Sequence, residues 1–185
     1  SGDGWLNYLS GKNPGYPVSV LRGDLERVRS RVSGMRADAT TPDTRLADDP
    51  MKFNPASVGS LIQLMLGGIH PGHRGSVLHC RLRFFDHLQR RAGLPDDVAV
   101  LVDSMGSEKC AFTIVNTSQT ASRELTVQAG GYAEHRFSGV TVNGEDYSFQ
   151  GDSFRVSLAA GAGARFEATM DRFVQAPRLG FPWKR

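Results

Sequence analysis

The sequence lacks long hydrophobic runs, has few cysteines and carries little excess charge. Its richest apolar stretch, residues 61–66, is far shorter than the roughly 20 residues that cross a bilayer. The net charge is only +3 and the basic residues are dispersed, unlike the concentrated basic patch of a nucleic-acid surface. Cys80 and Cys110 are too few for a disulfide framework, and buried free thiols are preferred over a bridge. We therefore expect no membrane span and no nucleic-acid partner.

Sequence signatures of common enzymes are also absent. There is no Gly-x-Ser-x-Gly nucleophile elbow, no phosphate-binding loop and no dinucleotide fingerprint. A hydrophobic content of 39% and a charged content of 22% are typical of a soluble globular chain. The many glycines, and the excess of arginine over lysine, indicate a high-GC bacterial source. We expect a soluble bacterial domain without a catalytic site of its own, and an extracytoplasmic location is left open.

Alternating and β-branched residues fill the chain from Lys109 to Met170, and each short run ends at Gly, Asn, Asp or Ser. This pattern predicts consecutive antiparallel strands. Asn143-Gly144 is the strongest signal for a type I′ hairpin turn. About eight strands are predicted, at 78–84, 98–102, 110–116, 123–128, 134–142, 147–149, 154–158 and 165–170. The expected fold is mainly β, an antiparallel β-sandwich or jelly-roll-like domain preceded by two α-helices.

The strand region makes two specific predictions, one about which side chains are buried and one about a hairpin. Phe154, Val156 and Leu158 alternate with polar residues, so they should face the core while Arg155 and Ser157 face away. The polar connection at 117–122 makes 110–116 and 123–128 a predicted hairpin.

Two helices are predicted ahead of the strands. The first begins at Pro17 and runs to residue 35, with Leu21, Leu25, Val28, Val32 and Met35 forming one apolar stripe. The second spans 55–66, with Asn54 as its N-cap and Gly67 as its stop. The predicted organisation is a helical segment at 1–75, a β-sandwich at 76–171 and a C-terminal tail at 172–185.

Candidate metal ligands lie in two loops. His70 and His73 are three residues apart and could bind zinc, although a solvent-facing turn is the preferred interpretation. Asp43, Asp48 and Asp49 crowd one loop and could bind calcium, although the spacing matches no EF-hand and a structural or solvated role is preferred. The sequence requires no cofactor, and zinc and calcium are the alternatives.

Two further groups of residues were candidates for function. Glu134 and His135 are an acid/base combination, but a strand through them would place them on opposite faces. Aromatic residues near both chain ends could stack on sugars or anchor an interface, and burial against the chain's own core is the competing interpretation. These candidate interface residues are Trp5, Tyr16, Phe181 and Trp183.

The stretches 112–117, 123–130 and 154–166 together resemble the C-terminal β-sandwich accessory modules of bacterial glycoside hydrolases and related (α/α)-barrel proteins. The resemblance covers about residues 109–171. It implies a non-catalytic module, and the two helices would then be the tail of a preceding helical domain. It transfers no catalytic residue to this chain.

Three functions follow as hypotheses. The first is a non-catalytic accessory or assembly module of a larger bacterial protein or complex, associated with carbohydrate. The second is a small metal-dependent enzyme that uses His70 and His73, and the third is a structural subunit of a larger assembly. Since complete coverage of both helices by one sheet face is difficult, we expect apolar surface near Trp5, Tyr16 and the C-terminal residues 181–183 to bind a partner or a second copy.

Overall fold

The computed structural model describes residues 2–41, 54–68 and 78–184. Within these residues, three α-helices precede the strands: α1 (Gly2–Leu9), α2 (Tyr16–Ala37) and α3 (Gly59–Leu66). Pro17 lies in the first turn of α2, where its missing N–H costs nothing. Gly67 ends α3 in the left-handed conformation, with φ 60°, as predicted. The predicted boundary at residue 75 falls outside the described residues.

The predicted start of α3 is wrong. The helix begins at Gly59, and Val58 rather than Asn54 precedes it, without a side-chain cap. The Asn54 side chain instead accepts a hydrogen bond from the Ala56 backbone N–H, at 2.9 Å. Asn and Asp make such local turns as readily as they cap helices, so Asn54 closes a turn five residues before Gly59, the first residue of the helix.

Nine strands form two antiparallel sheets in the described residues. The four-stranded sheet has the order β2-β1-β5-β8, and the five-stranded sheet has the order β3-β4-β9-β6-β7. The mainly antiparallel β fold behind a helical segment is confirmed. The strands are β1 (Leu82–Asp86), β2 (Arg91–Ala92), β3 (Val98–Met105), β4 (Lys109–Asn116), β5 (Arg123–Ala129), β6 (Arg136–Val142), β7 (Glu145–Tyr147), β8 (Ser153–Leu158) and β9 (Gly163–Asp171).

Alternate side chains of both sheets share one hydrophobic core. At its centre the ring of Phe112 from β4 stacks on Phe166 of β9, with ring centroids 5.2 Å apart. On β8, Val156 and Leu158 are buried while Arg155 and Ser157 are exposed, which confirms the predicted register. Phe154 is only half-buried, so it contributes less to the core than a fully buried phenylalanine would.

The predicted hairpin of 110–116 with 123–128 is wrong, because the two strands belong to different sheets. β4 pairs with β3 and β9, whereas β5 pairs with β1 and β8. The fully buried Asn116 redirects the chain between them: its side-chain amide donates to the carbonyls of Ala121 (2.8 Å) and Ala159 (2.9 Å). A polar connection alone does not specify a hairpin, and here it crosses between sheets.

The Asn143-Gly144 turn is confirmed. Both residues have positive φ, at 50° and 92°, and Val142 pairs with Glu145 across the turn. One other strand limit differs from the prediction. β1 begins at Leu82 rather than at residue 78, and Cys80 makes only an isolated bridge to Gly68.

The C-terminal segment after β9 lies on the face of β1 that points away from the shared core. Phe85 is buried there, with the rings of Phe181 and Trp183 each 5.9 Å from its own. The Arg178 backbone N–H donates to the Tyr132 carbonyl at 2.7 Å. The segment therefore covers an apolar patch of the four-stranded sheet.

Candidate interaction surface

Most hydrophobic residues of α2 lie on its exposed side, whereas Tyr16, Pro17 and Val20 pack inward. We call Val18, Leu21, Leu25, Val28, Val32 and Met35 the apolar stripe. Four of its members, Val18, Leu21, Leu25 and Met35, are 56%, 39%, 48% and 45% exposed. Val28 and Val32 are half-buried. The helix is amphipathic as predicted, but its apolar side does not lie in the core of this chain.

Polar contacts fix this orientation of α2. Asp24 is only 7% exposed, and its carboxylate accepts hydrogen bonds from the Ser60 backbone N–H (3.2 Å) and the Arg27 guanidinium (2.8 Å). The Arg31 guanidinium donates to the carbonyls of Asn54 (3.0 Å) and Ala56 (3.2 Å). Because these residues attach one side of α2 to segment 54–60, the neighbouring apolar stripe is left facing outward.

An open apolar cavity of about 760 Å³ lies between α2, α3 and the edge of the five-stranded sheet. We call it the α2 groove. Val18 and Leu21 bring one end of the apolar stripe to it, and Leu61 of α3 is also largely exposed, at 48%. Its wall is formed by Pro17, Val18, Leu21, Leu61, Leu64, Met65, Leu94, Val98, Ala99, Val100, Leu101, Thr113 and Val115.

A closed aromatic cluster holds α1 next to this groove. The rings of Trp5 and Tyr8 are 5.7 Å apart, and those of Tyr8 and Tyr16 are stacked at 5.9 Å. The Tyr8 hydroxyl donates to the Val102 carbonyl at 3.2 Å, and the Tyr16 hydroxyl donates to the Gln63 side chain at 2.9 Å. Burial raises the pKa of both tyrosines. The predicted interface residues Trp5 and Tyr16 are therefore largely engaged within the chain.

The other two predicted interface residues form a second aromatic cluster, far along the chain. The rings of Phe181 and Trp183 stack on each other at 5.0 Å, and the His87 ring lies 6.1 Å from Trp183. A small cavity of about 210 Å³ lies beside them, lined by Trp183 and by polar side chains that include Thr126 and Arg155. Both aromatic side chains are half-buried, so only part of each can meet a partner.

Glu134 and His135 lie together, contrary to the prediction that they point to opposite faces. Their side chains are 3.8 Å apart (Oε1 to Nε2), because β6 begins only at Arg136 and the chain turns at Ala133 with φ 56°. Both side chains are buried. The alternating pattern predicts a strand from residue 134, but the strand begins two residues later, at Arg136.

This pair fixes the backbone around it. The Glu134 carboxylate accepts from the Tyr132 backbone N–H at 2.7 Å, and His135 Nδ1 accepts from the Phe173 backbone N–H at 3.1 Å. Burial lowers the pKa of His135, against the opposing effect of the Glu134 carboxylate. A neutral imidazole that accepts a backbone hydrogen bond attaches the C-terminal segment to the sheet, which is a structural role.

The predicted metal sites lie outside the described residues, both the His70/His73 loop and the Asp43, Asp48 and Asp49 loop. In the part of the chain that the structure describes, no three His, Cys, Asp or Glu side chains are placed to hold a metal ion.

The predicted free thiols are confirmed. Cys80 and Cys110 are free and buried, and burial raises the pKa of each to about 12. Thiols in this state are poor nucleophiles and poor metal ligands.

Residues 2–62 match the family model described as a domain of unknown function (DUF8034). The match covers α1, α2 and the first residues of α3, which build one side of the α2 groove, and it spans less than half of the chain. No curated protein matches the chain, and no solved structure does. Across the described residues, no helix combines the length and the apolar character needed to cross a membrane.

Proposed function

We propose that this chain is a non-catalytic β-sandwich accessory or assembly module that binds a helix of a larger protein or complex in the α2 groove. The exposed apolar stripe of α2 carries the proposal. A contiguous apolar surface beside an open groove is typical of a protein interaction site, whereas isolated exposed leucines are not. An amphipathic helix that lies along α2, with one end in the groove, would remove the stripe from water.

The strand region supports the module part of the proposal. Two antiparallel sheets that share one core are the arrangement expected of a sandwich, and a jelly roll is its more specific form. The resemblance of residues 109–171 to glycoside hydrolase accessory modules supports the same assignment. A carbohydrate-active context and a bacterial source are parts of this proposal that rest on the sequence alone.

A neutral amphipathic peptide tests whether the groove binds helices. The probe is a three-heptad synthetic helix with leucine at its core positions and glutamine at the flanking positions, labelled for fluorescence anisotropy. We expect saturable binding to the full chain. Replacing Leu21 and Leu25 together by Asp should abolish binding, because charge in the stripe must be desolvated when the helix docks.

Leu179→Asp is the matched control, since Leu179 is 84% exposed and lies outside the groove. It should bind the peptide like the unchanged chain. Equal binding by all variants, or no binding by any, would contradict the docking role. Turnover of a chromogenic glycoside or ester by the purified chain, lost on zinc removal, would contradict the non-catalytic assignment and favour the His70/His73 enzyme.

A further inference from the structure

We infer that the occupant of the α2 groove is an acidic amphipathic helix, supplied by a different chain or domain rather than by a second copy of this chain. This inference rests on the proposed function and specifies the chemistry of its partner. It follows from the spacing of the apolar stripe and from the charges on its two flanks.

The stripe has the spacing of a coiled-coil seam. Its members recur at intervals of three and four residues from Val18 to Met35, which is the a/d pattern of a heptad repeat. In this register Val18, Leu25 and Val32 occupy a positions, and the other three stripe residues occupy d positions. α2 has 22 residues, so at 1.5 Å per residue it offers a seam about 33 Å long. A helix with the same repeat would interdigitate with it.

One flank of the seam is a row of arginines. Arg22, Arg29 and Arg36 lie seven residues apart, at successive e positions, and all three are exposed. We call them the arginine row. Within the described residues, none of them forms an ion pair or a hydrogen bond. Since e and g charges select coiled-coil partners, three unpaired cations beside the seam favour carboxylates at the facing positions of the incoming helix.

The opposite flank is already engaged. The charged residues at g positions of α2 are Asp24 and Arg31, which attach the helix to segment 54–60. A helix that docks on the apolar stripe therefore meets only the arginine row on α2. The charge that it encounters is positive throughout, so the preference for an acidic partner is not cancelled from the other side of the seam.

The same charges oppose a second copy. An antiparallel pair of α2 helices would bring one arginine row against the other, and like charges across a seam are destabilising. A parallel pair would need the g residues as partners for the row, but Asp24 is buried against Ser60 and Arg31 is bound to backbone carbonyls. A chain that supplies carboxylates avoids both conflicts.

The test compares two charged versions of the neutral three-heptad peptide, one with Glu and one with Lys at all e and g positions. We expect the Glu peptide to bind the full chain about tenfold more tightly than the Lys peptide at low salt, from three exposed charge contacts. The difference should shrink at about 1 M salt, where such contacts are screened. The triple variant Arg22→Glu, Arg29→Glu and Arg36→Glu should reverse the preference.

A matched variant controls for net charge. Arg90→Glu, Arg155→Glu and Lys184→Glu change three exposed cations away from α2, and this variant should keep the preference for the Glu peptide. Equal affinity of the unchanged chain for the two charged peptides would overturn the inference, and the neutral peptide then shows independently whether the groove binds helices at all. Dimerisation seen by sedimentation and lost in Leu25→Asp would overturn it in favour of a second copy. Uptake of oleate without peptide binding would identify a small apolar ligand instead.

Discussion

In the two sheets the apolar side chains lie inside, whereas on α2 they lie outside. Phe112 is fully buried between sheets, while Leu25 of the apolar stripe remains about half exposed. The sheets obtain their stability from the removal of apolar surface from water. α2 is attached through the carboxylate of Asp24 and the guanidinium of Arg31. The sheets have already buried their apolar side chains, whereas α2 can still bury its apolar stripe against a partner.

The comparison is tested most strongly by truncating one side chain from each region. Phe112→Ala should lower the free energy of unfolding by about 3–5 kcal/mol, because it leaves a cavity in a closed core. Leu25→Ala should lower it by no more than about 1 kcal/mol, because about half of the side chain is already exposed in the folded chain. Urea unfolding followed by circular dichroism measures both. A loss for Leu25→Ala as large as for Phe112→Ala would show that the stripe is buried in this chain.

The attachment of α2 predicts an intermediate effect. Asp24→Ala should lower the free energy of unfolding by about 1–3 kcal/mol, because the Ser60 N–H and the Arg27 guanidinium lose their acceptor. Glu26→Ala is the control, since Glu26 is exposed on the same helix. It should unfold like the unchanged chain in the same urea series. Equal stability of the two variants would remove the argument that polar contacts orient α2.

The smallest expected effect is the pH dependence of unfolding that His135 contributes, next to the start of β6. Burial lowers the folded-state pKa of His135 below the ordinary value of 6.5, so below that pH the unfolded chain binds a proton more readily than the folded chain. The stabilising contribution of the neutral imidazole is therefore complete above about pH 6.5 and is lost progressively as the pH falls. Urea unfolding between pH 5.5 and 7.5 should show this decline.

His135→Asn should flatten the decline, because asparagine offers an acceptor to Phe173 without titrating. Arg136→Gln removes a neighbouring exposed cation but keeps the imidazole, and it should retain the slope of the unchanged chain. Identical slopes in all three proteins would exclude His135 as the source of the pH dependence.

The strands could be predicted where local pattern and burial agree. The alternation on β8 fixes which side chains are buried, because a shift by one residue would place Arg155 inside. Asn143-Gly144 specifies its own turn through two positive φ values. Both features depend on residues that are neighbours in sequence.

The remaining features depend on distant partners. The crossing from β4 to β5 is held by Asn116 and the carbonyl of Ala159, which is 43 residues away. The outward rotation of the apolar stripe depends on Asp24 and on the Ser60 backbone N–H, which is 36 residues away. Asp24 could have been noticed in the sequence as a candidate contact residue, since it is one of only two acidic residues in the arginine-rich helix α2. Its burial was not predictable, because polar residues are exposed in most helices.

Strand β9 joins two hairpins that are otherwise separate halves of the five-stranded sheet. It lies between β4 and β6 and pairs with both, although it comes after all of these strands in chain order. While the chain is being made, β3-β4 and β6-β7 can each form locally, but each has an unpaired inner edge until β9 emerges. Exposed strand edges promote association between chains. Completion of this sheet must therefore follow translation of β9. A nascent chain that stalls before residue 163 exposes two unpaired strand edges that can pair with other chains.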